Sequence, residues 1–85
     1  MKPKILIIDD DSSLRRVLEY NLLEAGYAVT AAASGEEGLR LCNEVSPALV
    51  ITDMKMPGMD GMEVLRSVKK CSAETLVIIM TAFGT

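Results

Sequence analysis

Near its start the chain contains the stretch Lys4-Ile5-Leu6-Ile7-Ile8-Asp9-Asp10-Asp11, in which an unbroken apolar run from Ile5 to Ile8 stops abruptly at three acidic residues. A short aliphatic run without polar alternation is typical of a strand buried on both faces, which means a parallel sheet covered by helices. A second such run, from Ala48 to Thr52, stops at Asp53. Because neighbouring parallel strands end at the same edge of a sheet, the two runs predict a cluster of carboxylates there.

Segments with helical spacing separate the predicted strands. Strands are predicted at 4–8, 27–33, 48–52 and 76–80, and each of the first three is followed by an amphipathic pattern that begins with capping residues. Strict alternation of strand and helix with short connections favours an α/β fold, a doubly wound parallel sheet joined by right-handed crossovers.

Size and composition exclude several classes of protein. The 85 residues allow one small domain, 49% of them are hydrophobic, and the net charge is −3. No basic stripe predicts direct contact with nucleic acid, and no apolar run is long enough for a membrane span or a signal peptide. The two cysteines lack metal-type spacing and are expected to be reduced. A soluble cytoplasmic protein is therefore expected.

Oxygen ligands meet at the carboxyl edge of the predicted sheet, where such folds bind their ligands. Asp9 and Asp10 end the first strand, Asp53 ends the third and Thr81 ends the fourth. Each acid alone could simply cap a helix or face solvent, but several carboxylates at one edge need a cation. An oxygen-only set favours Mg2+, and the absence of histidine and paired cysteines disfavours zinc.

A metal beside a carboxylate allows phosphoryl chemistry. Asp53 could attack phosphorus as a nucleophile and form an aspartyl phosphate, while the metal offsets the repulsion between like charges. The hydroxyl of Thr81 could donate a hydrogen bond to a phosphoryl oxygen. The backbone N–H groups of the loop after Asp53 could do the same.

Three motifs in this order resemble the receiver domain of bacterial two-component response regulators. They are Ile7 to Asp11, Ile51 to Gly61 and Ile78 to Ala82. The resemblance implies that Asp53 is the phosphoacceptor for a histidine kinase and that Thr81 is the switch hydroxyl.

The resemblance also implies the ligands of the ion. Asp9, Asp10, Asp53 and the backbone carbonyl of Lys55 would hold Mg2+. The motif that follows Asp53 and the chain's last six residues are most similar to receivers of NtrC-type activators.

The family pattern also predicts elements that this sequence lacks. Receivers have a flavodoxin-like sheet of five strand–helix units, so residues 1–85 are expected to be an N-terminal receiver fragment with strand order 2-1-3-4. The fourth helix, fifth strand and fifth helix would be absent, together with the output domain. The phosphate-binding lysine of the family belongs to the fifth strand, so weak Mg2+ binding and slow phosphorylation are expected.

Two other functions are compatible with the residues. The fourth strand would be an open edge, which favours an assembly module that forms a homodimer by edge pairing or strand exchange. A metal-dependent phosphatase would also use an aspartyl nucleophile. Such enzymes usually place a second aspartate two residues later, where this chain has Lys55.

Overall fold

The computed structural model describes residues 2–80, which form four parallel strands and three helices in strict alternation. In chain order the elements are β1 (Lys4–Ile8), α1 (Ser12–Glu24), β2 (Ala28–Ala32), α2 (Gly35–Val45), β3 (Leu49–Asp53), α3 (Gly61–Cys71) and β4 (Leu76–Met80). The strands and helices predicted from the sequence are all present, and the strand bounds differ from the predicted ones by at most one residue.

The sheet has the order β2-β1-β3-β4, and every neighbouring pair is parallel. This is the doubly wound, flavodoxin-like arrangement that was predicted. The chain order reverses between β1 and β3, which are adjacent although β2 lies between them in sequence. Ligands bind at this kind of reversal in open α/β sheets.

The main core lies between the sheet and the layer formed by α2 and α3. Leu6 and Ile8 of β1 pack there against Cys42 of α2 and against Val64 and Val68 of α3. Successive strand residues point to opposite faces, so Ile5 and Ile7 lie on the other side of the sheet. That side carries α1, which packs on β1 and β2.

Helix α1 covers its face of the sheet incompletely. None of its residues is buried, and Leu14 and Val17 remain 42% and 55% exposed. The amphipathic pattern that follows the first strand predicts that apolar side chains such as these face the sheet, and the structure corrects this prediction for both residues. The reason is that, within residues 2–80, α1 contacts only β1 and β2, so no further element covers the exposed parts of these two side chains.

Side-chain caps begin the helices at the positions that the sequence indicated. The Asp11 carboxylate accepts hydrogen bonds from two N–H groups of the first turn of α1. Asp60 and Glu63 form a reciprocal capping box at the start of α3. Asp11 and Asp60 thus have structural roles at the starts of α1 and α3.

The capping residues Ser34 and Glu37 of α2 form a capping box only in part. The Ser34 hydroxyl accepts a hydrogen bond from the Glu37 N–H at 3.2 Å, as expected. The Glu37 carboxylate, however, accepts from the N–H of Ala33, one residue before the cap. None of the helices within residues 2–80 is long and apolar enough to cross a bilayer.

Candidate metal and phosphoryl site

The strand register brings three carboxylates together. Ile8 lies opposite Thr52 in the β1–β3 pair, so Asp9 and Asp53, the next residue in each segment, lie side by side at this edge of the sheet. One carboxylate oxygen each of Asp9, Asp10 and Asp53 lies within 4.8 Å of the others. The cluster predicted from the two acid-terminated runs is therefore present at the carboxyl edge of the sheet.

The three acids differ in their surroundings. Asp9 is completely buried, Asp53 is half-buried and Asp10 is exposed. The cluster thus opens to solvent on the side of Asp10 and is closed on the side of Asp9. An ion could enter from solvent and still reach an oxygen in the interior.

Asp9 is only partly satisfied by its neighbours. Its Oδ1 accepts a hydrogen bond from the Asp11 N–H at 2.9 Å. Its Oδ2 is buried and has no hydrogen-bond partner among residues 2–80. Burial raises the pKa of the Asp9 carboxyl above its usual value of 3.8, and the charges of Asp53 and Asp10 add to this effect.

The loop between β3 and α3 passes close to the phosphoacceptor candidate. A side chain at Gly61 would lie 2.7 Å from the Asp53 carbonyl oxygen and 2.9 Å from the Met54 Cα, so only glycine fits. The Gly61 N–H donates to the Met54 carbonyl at 2.8 Å, and Gly58 has a φ of +81°. The start of α3 is therefore held in close contact with the backbone at the end of β3.

Two methionines of this loop pack inward. Met56 is 8% exposed and belongs to the main core, and Met59 packs against that core. Lys55 is exposed and lines a cleft in the loop with Met54 and Pro57. The ligand role of the Lys55 carbonyl stays a prediction, and Thr81 lies outside the described residues.

The sequence did not single out Arg15 of α1 as a residue of the site. The Arg15 Nη1 donates to the backbone carbonyl of Asp9 at 2.7 Å. The spacing of six residues across a strand end, a turn and a helix start has no simple periodic signal. This contact therefore became visible only in the structure.

The donor set fits a hard divalent cation. The ligands available are carboxylate oxygens, which Mg2+ and Ca2+ prefer over softer donors. The buried, unpartnered Oδ2 of Asp9 gives a further reason, because a buried polar atom without a partner is costly and a bound cation would satisfy it.

Comparison with known proteins identifies the family. The model of the response regulator receiver domain matches residues 5–85. The chain belongs to this family. The receiver domain predicted from the three motifs is confirmed, while its NtrC-type subfamily stays a prediction.

Relatives of this receiver domain include proteins of more than one kind. Sporulation initiation phosphotransferase F of Bacillus subtilis is 43% identical over 84 residues, which cover 99% of this chain and 68% of that protein. Transcriptional regulatory protein AfsQ1 of Streptomyces coelicolor is 41% identical over 80 residues, which cover 94% of this chain but only 35% of that protein. The chain therefore spans about a third of the latter.

A solved structure extends the comparison to the metal. The response regulator protein TrrA of Thermotoga maritima, solved in complex with Mg2+-BeF, is 37% identical. It superposes with a TM-score of 0.91 over 99% of this chain and 72% of that chain. The receiver fold of this protein is thereby shown by structure as well as by sequence.

Proposed function

We propose that this receiver domain accepts a phosphoryl group on Asp53 from a histidine kinase, with Mg2+ held by Asp9, Asp10, Asp53 and the backbone carbonyl of Lys55. The observation that carries the proposal is the convergence of three carboxylates within 4.8 Å at the carboxyl edge of the sheet. Family membership supports a histidine kinase as the partner. The proposal also includes a cytoplasmic location. It further includes regulation of transcription through an output domain outside residues 1–85.

The chemistry follows from the placement of Asp53. One of its carboxylate oxygens attacks phosphorus, the bond between phosphorus and the donor breaks, and an acyl phosphate forms. A bound Mg2+ would neutralise charge on the phosphoryl oxygens. Asp9 contributes a buried negative charge that favours occupation of the site by a cation, and the Thr81 hydroxyl would donate to a phosphoryl oxygen.

The protein would act as a phosphoacceptor that at most catalyses its own phosphorylation and dephosphorylation. Within residues 2–80 no lysine forms an ion pair with Asp53, so the positive charge that assists phosphoryl transfer is scarce. Phosphorylation of the 85-residue chain is therefore expected to be slow.

Intact-mass measurement tests the proposal. The chain is incubated with acetyl phosphate and Mg2+, and the expected result is a slow gain of one phosphoryl group that disappears in Asp53→Asn or with a chelator. Asp11→Asn is the matched control, because it removes a nearby acid while asparagine keeps the helix cap. An equal mass gain in Asp53→Asn, or no gain in the unsubstituted chain after prolonged incubation, contradicts the proposal.

We infer a second role, assembly of two copies through β4, from the exposure of that strand. Leu76 and Ile78 are 65% and 51% exposed, and β4 is an edge strand of the described sheet. The strand contains no charge and no proline, which usually protect such edges. Sedimentation over a range of concentrations tests this role, and a persistent monomer contradicts it.

A further inference from the structure

The Asp9 carbonyl lies at the junction between β1 and α1. The Asp9 N–H still donates to the Ala32 carbonyl at 3.1 Å, so Asp9 is held by the sheet on one side. On the other side its carbonyl accepts from the Arg15 Nη1 at 2.7 Å, the only hydrogen bond to that oxygen among the described residues. Arg15 thus ties the first turn of the helix back to the strand end.

This hydrogen bond controls more than one backbone atom. The Asp9 carbonyl and the Asp10 N–H belong to the same planar peptide group, so an orientation imposed on the carbonyl is imposed on the start of Asp10 as well. Asp9 and Asp10 are the two acids that β1 contributes to the carboxylate cluster. The direction in which each carboxylate leaves the backbone therefore depends on this peptide plane.

Arg15 does not act as a counter-ion in this structure. Within residues 2–80 its guanidinium forms no ion pair with Asp9, Asp10 or Asp53. It donates a hydrogen bond to the backbone carbonyl of Asp9, which is neutral. A purely electrostatic role and a positional role make opposite predictions. Removal of a nearby positive charge strengthens the binding of any cation, whereas loss of a hydrogen bond that orients the ligands weakens it.

We propose that Arg15 is a positioning residue, which orients the Asp9–Asp10 peptide and thereby sets the geometry of the divalent-cation site. The inference rests on the proposed function of the carboxylate cluster and adds a residue outside the ligand set. The inference also predicts that loss of Arg15 affects the binding of Mg2+ and Ca2+ to different extents. Mg2+ requires nearly ideal octahedral geometry, while Ca2+ accepts flexible and irregular coordination, so a positional defect should affect Mg2+ more.

The test compares the affinities for Mg2+ and Ca2+ of Arg15→Gln, Arg15→Lys and the unsubstituted chain by isothermal titration calorimetry. In Arg15→Gln we expect Mg2+ affinity to fall on the order of tenfold, as for partners that orient metal ligands, and Ca2+ affinity to change much less. Arg15→Lys keeps a hydrogen-bond donor and the positive charge, so its Mg2+ affinity should lie between those of Arg15→Gln and the unsubstituted chain. Arg16→Gln, at the exposed neighbouring position, removes the same charge and should leave both affinities nearly unchanged.

Each outcome decides between the alternatives. Stronger binding of both ions in Arg15→Gln assigns Arg15 an electrostatic effect and overturns the inference. So does an equal loss for Mg2+ and Ca2+, or no change, in a variant whose urea unfolding matches that of the unsubstituted chain. If Arg15→Gln does not fold, the ratio of Mg2+ affinity to Ca2+ affinity in Arg15→Lys tests the inference instead. A ratio equal to that of the unsubstituted chain overturns the inference.

Failure of this inference and failure of the proposed function are distinguishable. If the unsubstituted chain binds Mg2+ and gains phosphate on Asp53 while Arg15→Gln behaves in the same way, only the role of Arg15 is wrong. If the unsubstituted chain binds neither ion, the proposed metal site is wrong and the role of Arg15 falls with it.

Discussion

At the scale of single residues, Asp9 has the most unusual environment of the three clustered acids. It is fully buried, yet one carboxylate oxygen lacks a hydrogen bond among the described residues. A native fold tolerates such a group when it has a use that offsets its cost, and sites for ions and substrates are the usual places. The buried carboxylate is thus a local instability that a bound cation would relieve.

The raised pKa of Asp9 predicts how stability depends on pH without metal. Because burial raises the pKa in the folded chain above 3.8, the folded state binds this proton more tightly than the unfolded state does. The contribution of Asp9 to stability is therefore full below 3.8 and is lost as the pH rises through the raised value. In a chelator, Asp9→Asn should be more stable than the unsubstituted chain at neutral pH by about 1 kcal/mol.

Urea unfolding at several pH values measures this difference, which should shrink as the pH falls toward 3.8. Mg2+ should then stabilise the unsubstituted chain but not Asp9→Asn. Glu74→Gln is the control, since this exposed acid lies before β4 at the opposite end of the sheet. Parallel pH profiles for Asp9→Asn and the unsubstituted chain contradict the prediction.

At the scale of secondary-structure elements, the decisive feature is the close approach of α3 to the end of β3. Gly61 is the first residue of α3, where alanine would normally favour the helix. Its position directly against the backbone of Asp53 and Met54 removes that advantage. The helix start and the phosphoacceptor candidate therefore form one rigid unit.

Gly61→Ala should destabilise the fold by about 2 kcal/mol, the cost typical of an overpacked site, because backbone atoms cannot yield as a flexible side chain can. It should also weaken Mg2+ binding, since Asp53 is displaced. Gly26→Ala is the matched control, because its φ of +97° causes strain but nothing lies within 4 Å of the added carbon. We expect a loss of about 1 kcal/mol there, with Mg2+ affinity unchanged.

Urea unfolding and Mg2+ titration of both alanine variants separate the two effects. If Gly61→Ala keeps both the stability and the Mg2+ affinity of the unsubstituted chain, the loop adapts more readily than the structure indicates. If Gly26→Ala alters Mg2+ affinity, the end of α1 is coupled to the site in a way that its open surroundings do not explain.

At the scale of the whole molecule, the two faces of the sheet are covered unequally. One face carries α2 and α3, while within residues 2–80 the other carries only α1, on β1 and β2. Leu76 and Ile78 lie on the thinly covered face, in register with Leu49 and Ile51. Exposed apolar side chains beside an open strand edge favour association of copies.

Lysine at both exposed positions of β4 should abolish this association. In Leu76→Lys/Ile78→Lys the charges of two copies would face each other across an edge pair, so sedimentation should show a monomer at concentrations where the unsubstituted chain associates. Tyr20→Lys is the control, because this side chain is 63% exposed on α1 and away from the edge. Equal association of all three chains would assign the contact to another surface.

Much of this architecture could be predicted because local sequence patterns indicate the strands and the helix starts. Unbroken apolar runs such as Ile5 to Ile8 predict strands buried on both faces, and capping acids such as Asp60 mark helix starts. Parallel strands share an edge, so the acids at the ends of β1 and β3 could be placed together without coordinates. The carboxylate cluster agrees with this prediction, and the strand order agrees with the one that the resemblance to receiver domains implied.

The sequence by itself determined the order of the elements along the chain and placed Asp9, Asp10 and Asp53 at strand ends, because periodicity and strand polarity are local properties. That β1 and β3 are neighbours, which brings these acids together, was implied by the resemblance to receiver domains. Only the tertiary structure decided that Asp9 is buried with an unpaired oxygen, that Arg15 holds its carbonyl and that α1 leaves Val17 exposed. These features depend on distances between atoms that folding brings together from separate elements. No pattern along a single segment records such distances.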